Sequence, residues 1–162
     1  MSRSLSIAVI GAGASGLYIA DQLMCRTVGA HIDLIDQTPA PIGIAAYSAR
    51  PPRSVAASTT HLIGNVRVGT DVSAAELRGV YDVVIDATTF AEGVSEFTLD
   101  ATIDIALAGA EATHPRLELA ELLQRRGVPA TRWVNPLNLP TGRGLREWQA
   151  ALATSRGVPV CF

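Results

Sequence analysis

A chain of 162 residues lies within the range of one domain and is long enough to bury a substantial core. Its composition, 48% hydrophobic and 17% charged with a formal net charge of -2, argues against a disordered chain, and thirteen scattered positive residues argue against a phosphate-tracking nucleic-acid surface. Every positive residue is an arginine, so Schiff-base chemistry through a lysine amine and a P-loop lysine are both excluded.

Ser6 to Ile10 is a continuous apolar run that ends in glycine, the pattern of a strand buried on both faces of a parallel sheet. The opening run from Leu5 is too short for a signal h-region, and no apolar stretch reaches the roughly 20 residues that span a bilayer. A cytoplasmic, non-membrane protein is therefore expected, with Cys25 and Cys161 as small apolar residues rather than a redox pair. Leu17, Ile19, Ala20, Leu23 and Met24 recur near helical spacing, Gly29 stops that helix, and Ile32 to Asp36 reads as a second strand. Strand, helix and strand in about 30 residues make one βαβ unit.

From Gln37 to Arg53 the prolines and Gly43 predict a long loop. Asn65 to Val68 is expected to form a short strand. Ser73 and Glu76 have the spacing of a capping box at a helix start. Tyr81 to Ala87 reads as another buried strand, and Phe97 to Leu107 as one or two more. A helix over Leu117 to Gln124, a stop at Gly127, a strand near Thr131 to Val134 and a helix over Leu145 to Ala153 complete the chain. The expected fold is α/β: a single Rossmann-like domain over residues 1–162, built on a doubly wound, mostly parallel sheet.

The turn Gly11-Ala12-Gly13-Ala14-Ser15-Gly16 between the first strand and helix has the GxGxxG spacing of a dinucleotide site. Gly11 permits the sharp turn, Gly13 lets backbone approach a pyrophosphate, and Gly16 lets helix and sheet pack closely. The helix start supplies N–H groups and about half a positive charge to the phosphates, so no lysine is needed. Asp36, twenty residues beyond Gly16, stands where a carboxylate accepts from ribose hydroxyls, with Gln37 beside it. A carboxylate there disfavours a 2′-phosphate, and with it NADP at this turn.

Several segments together resemble the FAD-binding part of the adrenodoxin reductase and ferredoxin–NADP reductase family. They are Ala8 to Tyr18, Asp33 to Asp36, the loop Pro39-Ala40-Pro41-Ile42-Gly43-Ile44-Ala45-Ala46-Tyr47, Asn65 to Gly69 and Tyr81 to Thr88. The resemblance implies FAD as cofactor, with Gly11, Gly13, Ser15 and Gly16 on the pyrophosphate and Asp36 on the adenosine ribose. It also implies Gly43 and Ile44 along the flavin and the Val68 backbone at the adenine. Where the family follows its fourth strand with alanine-threonine-glycine and an NADP domain, this chain reads Ala87-Thr88-Thr89. The expectation is a small flavoprotein oxidoreductase without its own NADPH site, acting on a small-molecule substrate or taking electrons from a separate reductase.

Two carboxylates support a different chemistry. Asp86 ends a buried strand, where an unpaired carboxylate costs several kcal/mol, and Asp104 lies between Ile103 and Ile105. Either is a candidate acid–base group for an isomerase, cyclase or lyase on a dinucleotide-binding scaffold. A non-catalytic FAD- or NAD-binding accessory subunit is a third reading. His31, His61 and His114 lack metal-ligand spacing, so no metal is expected. A homodimer is expected, because losing a domain uncovers apolar surface.

Overall fold

The computed structural model describes residues 4–27, 29–39, 59–88, 115–134, 150–151 and 153–156. Gly43, Ile44 and Asp104 lie outside them, as do the expected strands within Phe97 to Leu107 and most of the expected helix at Leu145 to Ala153.

β1 (Ser6–Ile10) is buried along its whole length and lies between two parallel partners, β2 (His31–Ile35) and β4 (Val83–Asp86). Between β1 and β2 runs α1 (Ala14–Arg26), whose Leu17, Ile19, Ala20 and Leu23 are buried against the sheet. The helix ends where Thr27 donates its N–H to the Leu23 carbonyl. Gly29, at φ +76°, then turns the chain into β2.

β3 (Thr59–Gly64) pairs in parallel with β2, and α2 (Ala74–Val80) brings the chain back across the sheet to β4. The Ser73 hydroxyl accepts from the Glu76 N–H while Glu76 accepts from the Ser73 N–H, closing the predicted capping box. Arg126 and this box hold the Glu76 carboxyl down at about 2. α3 (Pro115–Arg125) precedes β5 (Thr131–Val134), which lies antiparallel on the outer edge of β3.

The sheet order is β4-β1-β2-β3-β5. Two apolar layers result. Ile7, Val9, Ile32, Leu34, Leu62, Val83 and Ile85 face α1. Ala8, Ile10, Ile35, Ile63 and Val84 face the opposite way, toward Leu77 of α2 and Leu119 and Leu123 of α3. Helices on both faces make this a mostly parallel Rossmann-like α/β sheet, as expected.

The expected strand at Asn65 to Val68 is not one. β3 occupies the residues before it, and Asn65 turns the chain out of the ladder at φ +61°, a conformation that asparagine tolerates better than most residues. Its Nδ2 donates to the carbonyls of Pro129 and Thr154. Val66 is buried, so the apolar alternation was real, but it marks a packed turn; Val68 makes only an isolated bridge to Val72. Asp71 accepts from the Arg67 N–H and pairs with Arg156, and that guanidinium holds its carboxyl below the usual range.

Candidate functional site

The strand order reverses direction between β1 and β4: the chain grows outward from β1 through β2 to β3, then returns to β4 on the other side of β1. The crevice at the carboxyl ends of strands flanking such a reversal is where open α/β sheets take ligands. Gly11 to Gly16, Asp36 and Asp86 all lie at that edge. The expected pyrophosphate residues and the expected ribose carboxylate are therefore brought together.

The three glycines have three separate reasons. Gly11 sits at φ +99°, and a Cβ on it would stand 3.1 Å from Thr88 Cγ2. At Gly16 a Cβ would fall 1.9 Å from the Gly11 carbonyl oxygen, so helix and turn can approach only without a side chain. At Gly13 a Cβ would meet nothing within 4 Å. This glycine is exposed at the mouth of the turn, and its bare Cα leaves open space where a ligand's phosphates would come. Gly13 is also the N-cap of α1, with no side-chain cap and no acidic residue in the first turn. The N–H groups of a first helical turn have no partner within the helix, and with the helix dipole they would favour an anion there.

Asp36 holds the turn in shape. Its Oδ1 accepts from the Ala12 N–H at 3.0 Å, and its Oδ2 accepts from the Thr38 N–H at 2.8 Å and from the Thr38 hydroxyl. A carboxylate has about four acceptor positions, so Oδ1 retains capacity for a sugar hydroxyl. Gln37 beside it is exposed.

Asp86 repeats the contacts to threonine at the end of β4, on the other side of β1. Its Oδ1 accepts from the Thr88 N–H at 2.9 Å and from the Thr88 hydroxyl at 2.5 Å. Asp86 is exposed, which removes the expectation that burial strains this carboxylate. The strand ends at the sheet edge, and the side chain leaves the core there. Asp-x-Thr at the ends of β2 and β4 is a pattern visible in the sequence, an Asx-type turn in which the side chain caps its own loop. Thr38 and Thr88 were legible through it and were not singled out.

A second polar group lies deep in the sheet and has no counterpart in the sequence reading. Asp33, in the middle of β2 and 1% exposed, accepts from the Tyr81 hydroxyl at 2.9 Å and from Arg116 Nε at 2.5 Å. His61 Nδ1 stands 3.7 Å from the same carboxylate and makes no hydrogen bond. Burial, with the charge on Asp33 adding to it, pushes the Tyr81 hydroxyl far up, so it stays a donor. Burial lowers the His61 pKa, and the Arg116 charge lowers it further, which favours a neutral ring. The one signal available was an aspartate inside a strand buried on both faces, which obliges a partner.

Among the described residues, no group of three or more histidines, cysteines or acids is placed to hold a metal. No helix among them is long and apolar enough to cross a membrane.

Residues 8–71 match the model of a family described as FAD-NAD(P)-binding. The mitochondrial NADPH:adrenodoxin oxidoreductase of Arabidopsis thaliana is 34% identical over 96 residues, covering 52% of this chain and 20% of that protein. Cindoxin reductase of Citrobacter braakii is 34% identical over 92 residues, 49% of this chain and 20% of the relative. The human mitochondrial NADPH:adrenodoxin oxidoreductase is 32% identical over 95 residues, 51% of this chain and 19% of its own. The chain thus spans about a fifth of the length of these relatives. Among solved structures, Mycobacterium tuberculosis FprA in complex with NADPH aligns at 24% identity and a TM-score of 0.39, over 53% of this chain and 23% of that one. The matched part of this chain, its N-terminal half, is similar in sequence to the adrenodoxin reductases, and within it residues 8–71 fit the FAD-NAD(P)-binding model.

Proposed function

We propose that this chain is an FAD-binding flavoprotein of oxidoreductase type, with the FAD pyrophosphate at Gly13, Ala14, Ser15 and the start of α1. The observation that supports it most is the contrast between two glycines: Gly16 is walled in by backbone, whereas Gly13 opens on free space at an uncapped helix start. A turn built only for packing has no use for the second. Asp36 would take the adenosine ribose through Oδ1. Gln37 would lie beside it, the Val68 backbone would meet the adenine, and Gly43 with Ile44 would border the flavin. Bound FAD supplies one- and two-electron transfer through its ring system; the residues of this chain bind and orient it.

The electrons, in this reading, come from a small-molecule substrate or a separate reductase rather than from NADPH held by these residues. Ala87-Thr88-Thr89 supports it, because threonine replaces the glycine at which the resembled family begins its NADP domain. The names of the relatives point to an electron-transfer partner of the adrenodoxin or cindoxin kind. Purified protein reconstituted with FAD should be yellow, and dithionite should bleach it under anaerobic conditions while NADPH alone does not. A colourless protein after reconstitution defeats the FAD reading, and rapid bleaching by NADPH defeats the statement about the donor. The acid–base alternative at Asp86 loses its main support now that the carboxylate is exposed and tied to Thr88. A homodimer in the cytoplasm completes the proposal, and a monomer mass by light scattering at micromolar concentration would remove its first half.

A further inference from the structure

On the face of the sheet opposite α1, a crevice runs between α3 and β5. One chamber of it, about 310 Å3, is lined by the apolar Ile63, Val128, Pro129 and Ala130 over the buried Leu119 and Leu123, with Gln124 and Thr131 as further polar lining. Arg116, Ala120 and Arg132 close that chamber and also line a second chamber of about 370 Å3, which reaches Ser6, His31 and Asp33 toward the amino edge of the sheet. Chambers of this size take small organic ligands. Among the described lining residues Asp33 is the single acid, set against Arg116, Arg132 and His31.

Asp33 does not exhaust Arg116. The ion pair uses Nε, while Arg116 Nη2 is buried without a hydrogen-bond partner. Arg132 pairs in register with Ile63, which places its side chain on the crevice face. The large apolar residues that are exposed among those described, Leu5, Leu117 and Val134, lie just before β1, in the first turn of α3 and at the end of β5, around the same amino edge. A cationic junction joined to an apolar channel complements one kind of small molecule.

We propose that this crevice binds a small amphipathic carboxylate, its carboxyl group on Arg116 and Arg132 and its apolar body along Val128, Pro129 and Ala130. Guanidinium groups present paired donors that match a carboxylate in geometry and charge. Asp33, itself fixed by the Tyr81 hydroxyl, holds Arg116 in place, so little side-chain freedom is lost on binding. The site shares no residue with the glycine turn and does not depend on FAD.

Calorimetric titration of the full chain with decanoate, decan-1-ol and decyltrimethylammonium tests this. Decanoate should bind about ten-fold more tightly than the alcohol, and the ammonium should give no heat. Ala120→Trp, at the exposed junction of the two chambers, should abolish decanoate binding with the thermal midpoint preserved. Arg132→Gln should weaken decanoate about ten-fold and leave the alcohol unchanged, which decides the matter if the tryptophan variant does not fold. Silence with decanoate, equal binding of all three probes, or indifference to Arg132→Gln overturns the proposal. So does a fall in mass by light scattering in Ala120→Trp, which would give the crevice to a second copy of the chain.

Discussion

Asp33 and Asp36 stand three residues apart on one stretch of chain and have opposite lives. Asp33 is enclosed in the sheet, and its charge is met by a guanidinium and a phenol that arrive from distant parts of the sequence. Asp36 lies at the carboxyl edge, where its partners are the backbone of Ala12 and the adjacent Thr38, and part of its accepting capacity faces outward. The first aspartate is committed to structure. The second shapes a turn, and in the proposed function it would take the ribose, because a strand that ends at the sheet edge delivers its next residue to the crevice.

The strongest way to test that division is to remove the partner of the enclosed carboxylate. Arg116→Met leaves Asp33 buried with Tyr81 as its side-chain donor and the His61 ring 3.7 Å away, and stripping one side of a buried pair costs about 3–5 kcal/mol. The unfolding midpoint should drop by about 6 °C or more for a chain of this size, while flavin affinity measured well below that midpoint should hold. Unchanged stability would show that the Asp33 cluster does not support the fold.

Gly16→Ala comes next. A methyl group 1.9 Å from the Gly11 carbonyl oxygen must push helix and turn apart, an overpacking worth about 3 kcal/mol. Both the midpoint in urea and FAD binding should suffer. Gly13→Ala sharpens the contrast, because its methyl group meets no protein atom: stability should fall by only about 1 kcal/mol, the preference of an N-cap for glycine over alanine, while FAD affinity falls about ten-fold or more. Equal FAD affinity in Gly13→Ala and the parent protein would contradict the placement of the pyrophosphate.

The smallest effect concerns His61. Its folded pKa lies below the ordinary 6.5, chiefly through burial and then through Arg116, so the unfolded chain takes up a proton first as the pH falls. Its contribution to stability is complete above 6.5 and is lost as the pH drops from there toward the lowered folded value. Urea midpoints compared between pH 7.5 and pH 5 should therefore decline less in His61→Asn than in the parent protein. An equal decline would mean that other groups govern the acid limb.

Much of the carboxyl edge was legible in the sequence because its logic is local. Glycines at fixed spacing, a helix that follows a buried strand, and an aspartate at the next strand's end are relations within about 30 residues. The capping box at Ser73 and Glu76 and the helix over Pro115–Arg125 were legible for the same reason. Reading Asn65 to Val68 as a strand failed because alternating valines look alike in a ladder and in a packed turn. The true strand, Thr59–Gly64, carries threonines and a histidine that disguise it.

Composition and spacing by themselves determined the α/β class and the position of the glycine turn. Tertiary structure alone decided that Asp33 meets Tyr81 and Arg116, that Asp86 emerges from the core, and that Arg132 faces the channel beside α3. These contacts join residues 48 and 83 positions apart, or depend on strand register and on which face of a sheet a residue occupies. Such relations come into being only when the chain closes on itself, so no local pattern encodes them.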